Sequence, residues 1–278
     1  MNHKQPSSIA IIISTYNAHD YLRMTLNGYA HQSDKNFSIY IADDGSDHQV
    51  ADIITAFREK SDIPIHHAWH EDKGYRRAKI INQAIQLVQE PYIVLTDADC
   101  IPFPDMIASH RKVAEQGCFL IGSRILLSKN ISSMISQEND WHPDLTLWQW
   151  ISWRFQAYIN RLFPLLLPVS TSPENQKLAG IRGCHFAFWK QDALTINGLD
   201  GSYEGWGRED SDFAARLFHA GIKRKNLRGK PVLHLWHAEA SRQKLDNNDQ
   251  LLTSCLDEKR QRAIKGIQEN ILEKDQNQ

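Results

Sequence analysis

The chain has 278 residues, 41% of them hydrophobic and 23% charged, with a formal net charge of -1. That is ordinary for a globular protein with a real core, built as one large domain or two small ones, and the lack of a basic excess argues against a nucleic-acid binder held by bulk electrostatics. Four cysteines, at 100, 118, 184 and 255, show no C-x-x-C spacing, so neither a structural zinc nor a disulfide scaffold is expected and reduced thiols in a cytosol fit best.

Residues 1–8 are polar and lead into the apolar run 9–13, which is too short for a signal segment or a membrane span. Residues 9–14 predict a strand, 21–32 a helix, 37–42 a strand, 50–60 a helix, 65–69 a strand, 79–89 a helix and 92–96 a strand. Strands alternating with helices predict βαβ units and a mostly parallel sheet flanked by helices, an α/β fold. Within 79–89, Ile80, Ile81, Ala84, Ile85 and Val88 form one stripe, as in a helix packed on a sheet. The alternation then weakens: 102–116 predicts a short helix, 119–127 a strand, 128–144 a polar stretch, 145–169 a Trp-rich helix and loop, 170–177 a loop, and 180–189 a strand entering a second site. The segment 145–169 reads as core or a lid, with a membrane contact as the rival reading because Trp residues accompany Arg154 and Arg161. The run Lys223-Arg224-Lys225 reads as a solvated face, its rival being attraction to anionic headgroups. The tail from 243 is polar and helix-prone, without a clear stripe beyond about Ala263, and is expected to lie on the surface or fray.

The most informative segment is Asp97-Ala98-Asp99, where a buried-type strand runs into two carboxylates. A packed core rejects such a pair unless the strand end opens into a site. With side chains alternating along a strand, the two carboxylates face the same way and can share a hard divalent ion that keeps open positions for phosphate oxygens. After the second strand, Asp43-Asp44-Gly45-Ser46 suits either base and ribose recognition or a turn capping the next helix. The turn after the first strand is Ser14-Thr15-Tyr16-Asn17, without the glycine signature of a dinucleotide fold. The basic cluster from Asp72 to Lys79, with Arg76 and Arg77, precedes a helix N-terminus and suits a pyrophosphate, or else is a solvated turn.

Further on, Gly205-Trp206-Gly207-Arg208-Glu209-Asp210-Ser211-Asp212 opens an amphipathic helix ending at Gly221. Three carboxylates exceed capping needs, so Glu209 and Asp210 are expected to divide two tasks, holding a substrate hydroxyl and taking a proton, with the helix dipole keeping both ionised. Of His234 and His237, an extended segment would aim only one at a metal, and an Asp, Asp, His set suits Mn2+ or Mg2+ better than zinc.

In this order, residues 11–16, Asp43-Asp44-Gly45-Ser46, Asp97-Ala98-Asp99 and the Gly205–Asp210 run resemble glycosyltransferase family 2, and the later part resembles the C-terminal module of animal galactosyltransferases and N-acetylgalactosaminyltransferases; the similarity spans about residues 8–240. The resemblance implies a GT-A fold, a UDP-sugar donor, a Mn2+ or Mg2+ cofactor and inversion at the anomeric carbon. It implies nucleotide binding by Asp43 and Asp44, a ribose or metal contact by Asp97, metal ligation by Asp99 with His234 or His237, catalysis by Asp210 as base with Glu209, and acceptor binding by Trp206, Gly207 and Glu209; Thr15 of the first turn and Arg77 of the basic cluster are expected to join Asp97 in nucleotide binding. Arg208 departs from the glycine common at its position in the animal enzymes. Residues 1–127 would form the nucleotide-sugar half and 128–278 the acceptor and base half of one domain. The expected partners are a UDP-sugar and a glycan or glycolipid acceptor, with no nucleic acid, in surface polysaccharide or lipopolysaccharide synthesis. The expected location is cytoplasmic, with peripheral contact at the inner membrane left open. The alternatives are a catalytically inactive binding module of the same fold, and a nucleotide-sugar hydrolase or nucleotidyltransferase, the latter disfavoured by the missing glycine-rich loop.

Overall fold

The computed structural model describes residues 5–138, 140–238 and 242–269. The elements run β1 (Ile9–Thr15), α1 (His19–Ala30), β2 (Phe37–Asp43), α2 (His48–Lys60), β3 (Ile65–Trp69), α3 (Arg77–Leu87), β4 (Tyr92–Asp97), β5 (Cys100–Ile101), α4 (Met106–Val113), β6 (Cys118–Ile121), β7 (Arg124–Leu126), α5 (Lys129–Ser136), α6 (Leu147–Phe155), α7 (Phe163–Leu166), β8 (Ser170–Thr171), β9 (Phe186–Trp189), α8 (Lys190–Thr195), α9 (Glu209–His219), β10 (Lys223–Arg228), β11 (Val232–His234) and α10 (Leu245–Asp257). An eight-stranded sheet has the order β3-β2-β1-β4-β9-β6-β10-β8, and a three-stranded sheet the order β5-β11-β7.

β1 is buried along its whole length, as a parallel strand covered on both faces must be. Its alternate side chains feed two separate cores: Ile9, Ile11 and Ile13 join Leu22, Leu26, Val50 and Ile54 of α1 and α2, while Ala10 and Ile12 join Ile80, Ile81, Ala84 and Ile85 of α3. A third core under the small sheet takes Ile125, Ile131, Trp141, Trp150 and Leu233. The strands β1, β2, β3 and β4 are mutually parallel where they pair, whereas β9 enters antiparallel between β4 and β6. No described helix is long and apolar enough to cross a membrane. All four cysteines are buried free thiols.

Several expectations past residue 100 need correction. The single strand expected at 119–127 breaks at Gly122 and Ser123 into β6 and β7, which lie in different sheets. The strand expected over 180–189 begins with a 3-10 turn at Gly183–His185 and becomes extended only at β9. The polar stretch contains α5, and the expected loop at 170–177 contributes β8, which pairs with β10. The charged run at 223–228 is β10, a sheet strand: Arg224 is buried, and the carbonyls of Lys177 and Ala179 accept its hydrogen bonds. The described part of the tail is anchored, since Ala263 and Ile267 are buried and Asp200 accepts from the Ile264 and Lys265 N–H groups. The remainder of that expectation falls on residues 270–278, outside the described residues.

In α9, Asp212 and Arg216 are both fully buried and paired at 2.7 Å, and Arg216 also donates to the Ile196 and Gly198 carbonyls at 2.9 and 2.6 Å. The guanidinium thus ties the helix to the connection after α8. Removing the carboxylate by Asp212→Ala strands a buried cation and is expected to lower unfolding stability by about 3–5 kcal/mol in urea titrations. A loss below about 1 kcal/mol, the range of an exposed pair, would contradict this anchoring role.

Candidate active site

Parallel register brings the polar strand ends together. Ser14 lies opposite Asp97, Thr15 opposite Asp43, and Asp43 opposite Trp69. They border a cleft of about 1130 Å³ at the carboxyl edge of the sheet, the usual position for a ligand in open α/β folds. Asp44 and Asp97 line this cleft, as does Thr15, whose buried hydroxyl has no partner among the described residues. Asp43 does not reach it: with 0% exposure, it accepts from the Ser46 N–H at 2.8 Å and faces His67 Nε2 at 2.9 Å. The two readings of the Asp43-Asp44 pair therefore divide between its members, Asp43 building the turn and Asp44 facing the ligand space. Asp44 is held by His70 Nε2 at 2.6 Å and by the Arg76 N–H at 2.8 Å.

The basic cluster divides in the same way. Lys73 is exposed and pairs with Glu71 at 3.0 Å, whereas Arg77, the first residue of α3, turns into the cleft. Its guanidinium meets Asp97 at 2.8 Å, Ser14 Oγ at 3.1 Å, Asp210 at 3.3 Å and Glu209 at 3.5 Å. One cation therefore joins the carboxyl edge of β4 to the N-terminus of α9.

α9 is aimed by the turn before it. Gly205, Gly207 and Arg208 all have positive φ, +66°, +113° and +76°. For Arg208 this left-handed backbone costs roughly 1–2 kcal/mol. Its side chain pairs with Asp249 of α10. The turn places Trp206 over the cleft, with Arg242 5.4 Å from its ring. Glu209 is 5% exposed, accepts from the Tyr75 hydroxyl at 3.2 Å and the Gly207 N–H at 3.1 Å, and has its pKa pushed up to about 7 by burial and then by Asp210, with Arg77 opposing. The expectation that the helix dipole keeps Glu209 ionised is thus corrected: dehydration and the neighbouring carboxylate outweigh a surface-scale dipole term. Asp210 instead accepts the Gly183 N–H at 2.6 Å.

The small sheet builds the third part of the site. His234 pairs with Cys100 across β11 and β5, and the Leu235 N–H donates to the Asp99 carbonyl at 2.9 Å. β11 ends at His234, so the expectation that the two histidines face opposite ways fails. His234 and His237 Nε2 lie 3.7 and 3.1 Å from Asp99 Oδ2. Their Nδ1 atoms face the carbonyls of Leu235 at 3.0 Å and Ala238 at 2.7 Å. Donation from Nδ1–H to those carbonyls leaves Nε2 as the ligating atom, the arrangement that orients metal-binding histidines. Ligand atoms of Asp99, His234 and His237 lie within 4.8 Å of one another, which fits one divalent ion with positions left for a substrate. Asp97, Asp99 and Cys100 also approach within 4.8 Å, but Asp97 is already bound by Arg77. Hydrogen bonding to Asp99 raises the His237 pKa to about 9, and burial lowers that of His234.

Sequence reasoning missed Gly183, Ser14, Tyr75 and His70. Gly183 had a visible signal, a glycine in the run Ile181-Arg182-Gly183-Cys184, but its reason is tertiary. A Cβ there would lie 2.5 Å from Asp210 Oδ1 and 2.7 Å from Arg77 Nη2.

A mostly parallel sheet carrying a carboxylate, histidine and arginine cleft defines an α/β transferase of the GT-A type. Residues 10–189 match the family described as Glycosyl transferase family 2, and residues 169–238 match the N-terminal domain of galactosyltransferase. The chain belongs to glycosyl transferase family 2. It is 22% identical over 249 residues to the chondroitin synthase of Escherichia coli, covering 81% of this chain and 34% of that protein. It is 24% identical over 252 residues to the hyaluronan synthase of Pasteurella multocida, covering 83% and 25%. Validoxylamine A glucosyltransferase of Streptomyces hygroscopicus subsp. limoneus is 23% identical over 239 residues, covering 77% and 48%. The chain thus spans about a quarter to a half of the curated relatives it matches. Among solved structures, S. aureus TarS 1-349 in complex with UDP-GlcNAc superposes with a TM-score of 0.61 at 14% identity, covering 89% of this chain and 66% of that one. The mannosyltransferase PcManGT of Pyrobaculum calidifontis, in complex with GDP-Man and Mn2+, gives 0.54 at 16%, covering 84% and 57%. These likenesses establish the GT-A fold.

Two outcomes follow. The folded state holds the Glu209 proton at pH values where the unfolded chain, titrating near 4.5, has released it. This contribution to stability is complete below about 4.5 and disappears as pH rises through about 7. Glu209→Gln should flatten that dependence and be the more stable protein at alkaline pH in thermal melts; parallel melting curves for the two proteins would refute it. Gly183→Ala should retain the fold by circular dichroism yet reduce glycosyl transfer by about 100-fold, the effect of misplacing a reacting group by about 1 Å. Undiminished transfer would show that the Gly183 contact is dispensable.

Proposed function

We propose that the protein is a metal-dependent, inverting glycosyltransferase that moves a hexose or N-acetylhexosamine from a UDP-sugar to a hydroxyl of a glycan or glycolipid acceptor, in bacterial surface polysaccharide or lipopolysaccharide synthesis. The observation that carries this reading is the convergence of Asp99 with two histidines and of Asp210 with Glu209 on one cleft, bridged by Arg77. The relatives named as chondroitin synthase, hyaluronan synthase and a glucosyltransferase, and the TarS complex with UDP-GlcNAc, support the substrate class. The Mn2+ complex of PcManGT supports the cofactor class, either Mn2+ or Mg2+.

In this reading Asp44 and Thr15 contact the nucleoside and Asp97 the ribose, with Asp43 acting indirectly by fixing the turn that carries Asp44. Asp99, His234 and His237 would hold the divalent ion, which when bound offsets negative charge on the diphosphate. Arg77 adds a fixed positive charge beside the same space, aimed where charge grows as UDP departs. Asp210, oriented by the Gly183 N–H, takes the proton of the acceptor hydroxyl as that oxygen attacks the anomeric carbon from the face opposite UDP. Glu209 binds an acceptor hydroxyl beside Trp206 and Gly207, and with a pKa of about 7 it can serve as either donor or acceptor. The left-handed turn at Arg208 is the conformation a glycine would adopt there, so the arginine preserves the geometry while adding a link to α10.

Asp99→Ala and Asp210→Asn are both expected to abolish transfer, read as UDP release from mixed UDP-sugars with Mn2+ and acceptor. Only Asp99→Ala should also weaken metal-dependent UDP binding in calorimetry. Near-normal turnover by Asp210→Asn would remove it as the base. Tight UDP-sugar binding by the unaltered protein with no release under any donor or acceptor would instead favour a catalytically inactive binding module.

A further inference from the structure

Six of the nine residues of α6 are aliphatic or aromatic, yet only Trp150 is buried. A helix apolar on most sides is ordinarily covered on most sides. Its inner side is accounted for: Trp153 stacks on Trp141 at 6.2 Å between ring centroids and meets Trp150 edge-on at 5.2 Å, and a capping box at Thr146 and Gln149 fixes the first turn. Trp148, Ile151 and Phe155 follow at i, i+3 and i+7 on another side, so the packed tryptophans hold that stripe rigidly outward. Trp148 is 78% exposed and Phe155 87%, and the following α7 adds Phe163 at 68%.

Charge identifies what covers this face. Residues 145–173 contain Arg154 and Arg161 and no aspartate or glutamate, in a chain whose 33 acidic residues among 278 would place three or four in a stretch of that length. Exposed aromatic rings with arginine and no carboxylate are the composition of a helix lying in a lipid interface. We infer that the α6–α7 face docks on a bilayer bearing anionic headgroups, with Trp148, Phe155 and Phe163 entering the interface and Arg154 meeting lipid phosphates.

The face is also tied to the cleft. The Leu126 N–H donates to Asn160 Oδ1 at 3.0 Å, the Asn160 N–H returns to the Leu126 carbonyl at 3.1 Å, and Leu126 and Leu127 line the cleft wall. A lipid-borne acceptor would therefore meet the cleft from its anchored side; this last point rests on the proposed transferase reading, whereas membrane docking does not.

The test is co-sedimentation of the protein with phosphatidylcholine vesicles, with and without phosphatidylglycerol. The unaltered protein should partition onto the anionic vesicles, and Trp148→Ser combined with Phe155→Ser should lower partitioning by about ten-fold or more, as expected for losing two large apolar side chains from the interface. Arg154→Glu should weaken binding only to the anionic vesicles. Far-ultraviolet circular dichroism and UDP release with a soluble acceptor should be unchanged in both variants, so a failed transferase assay leaves the vesicle result standing. The inference is overturned if the unaltered protein binds neither vesicle, or if the double variant binds as well as it does. It is equally overturned if sedimentation velocity shows a dimer that the double variant dissolves while vesicles capture neither protein, which would assign the face to a second copy of the chain.

Discussion

One arginine holds the two parts of the cleft together. Arg77 touches Asp97 at the end of β4 and both Glu209 and Asp210 at the start of α9, segments more than a hundred residues apart in sequence. Three carboxyl groups crowding one space would repel one another and draw in water or protons; a single guanidinium with a planar fork of donors makes the crowding tolerable. Burial first, and then the Asp210 carboxylate that Arg77 only partly offsets, push the Glu209 pKa up to about 7. The same crowding explains why backbone, not another side chain, completes the arrangement at Gly183: only an N–H fits the space left beside Asp210.

How much of this was legible depends on whether a residue's reason is local. The opening βαβ pattern was readable because strand alternation and helix stripe both follow from residues close in sequence, and the site residues they carry fall at strand ends. From their own spacing Asp97 and Asp99 read as one pair, and only the family resemblance gave them separate tasks, since the partners that distinguish them in the structure, Arg77 and the two histidines, come from elsewhere in the chain. Periodicity misjudged His237 because it assumed that β11 continued past His234. It also concealed β10, where Lys223 and Lys225 share one side and meet Glu174 and Glu115 while Arg224 turns inward to carbonyls. Charge density in sequence does not reveal whether each charge already has a partner.

The small sheet has a distinct consequence for geometry. Because β5 follows Asp99 directly and pairs with β11, His234 is held beside the chain that carries the Asp99 carboxylate. His234 is thus set by strand pairing, while Asp99 sits in the turn between β4 and β5 and His237 follows the end of β11; Trp206 and the turn before α9 rest on backbone with positive φ and on α10.

The insertion of β9 between β4 and β6 sets an order on assembly. A nascent chain that has emerged only through β6 can pair β1 to β4, but β6 still lacks both of its neighbours, β9 and β10, and the strand that joins it to β4 is some sixty residues further on. Until Phe186–Trp189 arrives, Ile93, Val94 and Leu95 present an unpaired, wholly apolar edge to the cell. Such an edge invites pairing with other chains. Closure of the sheet's centre is therefore a late event, timed by the position of β9 in the chain.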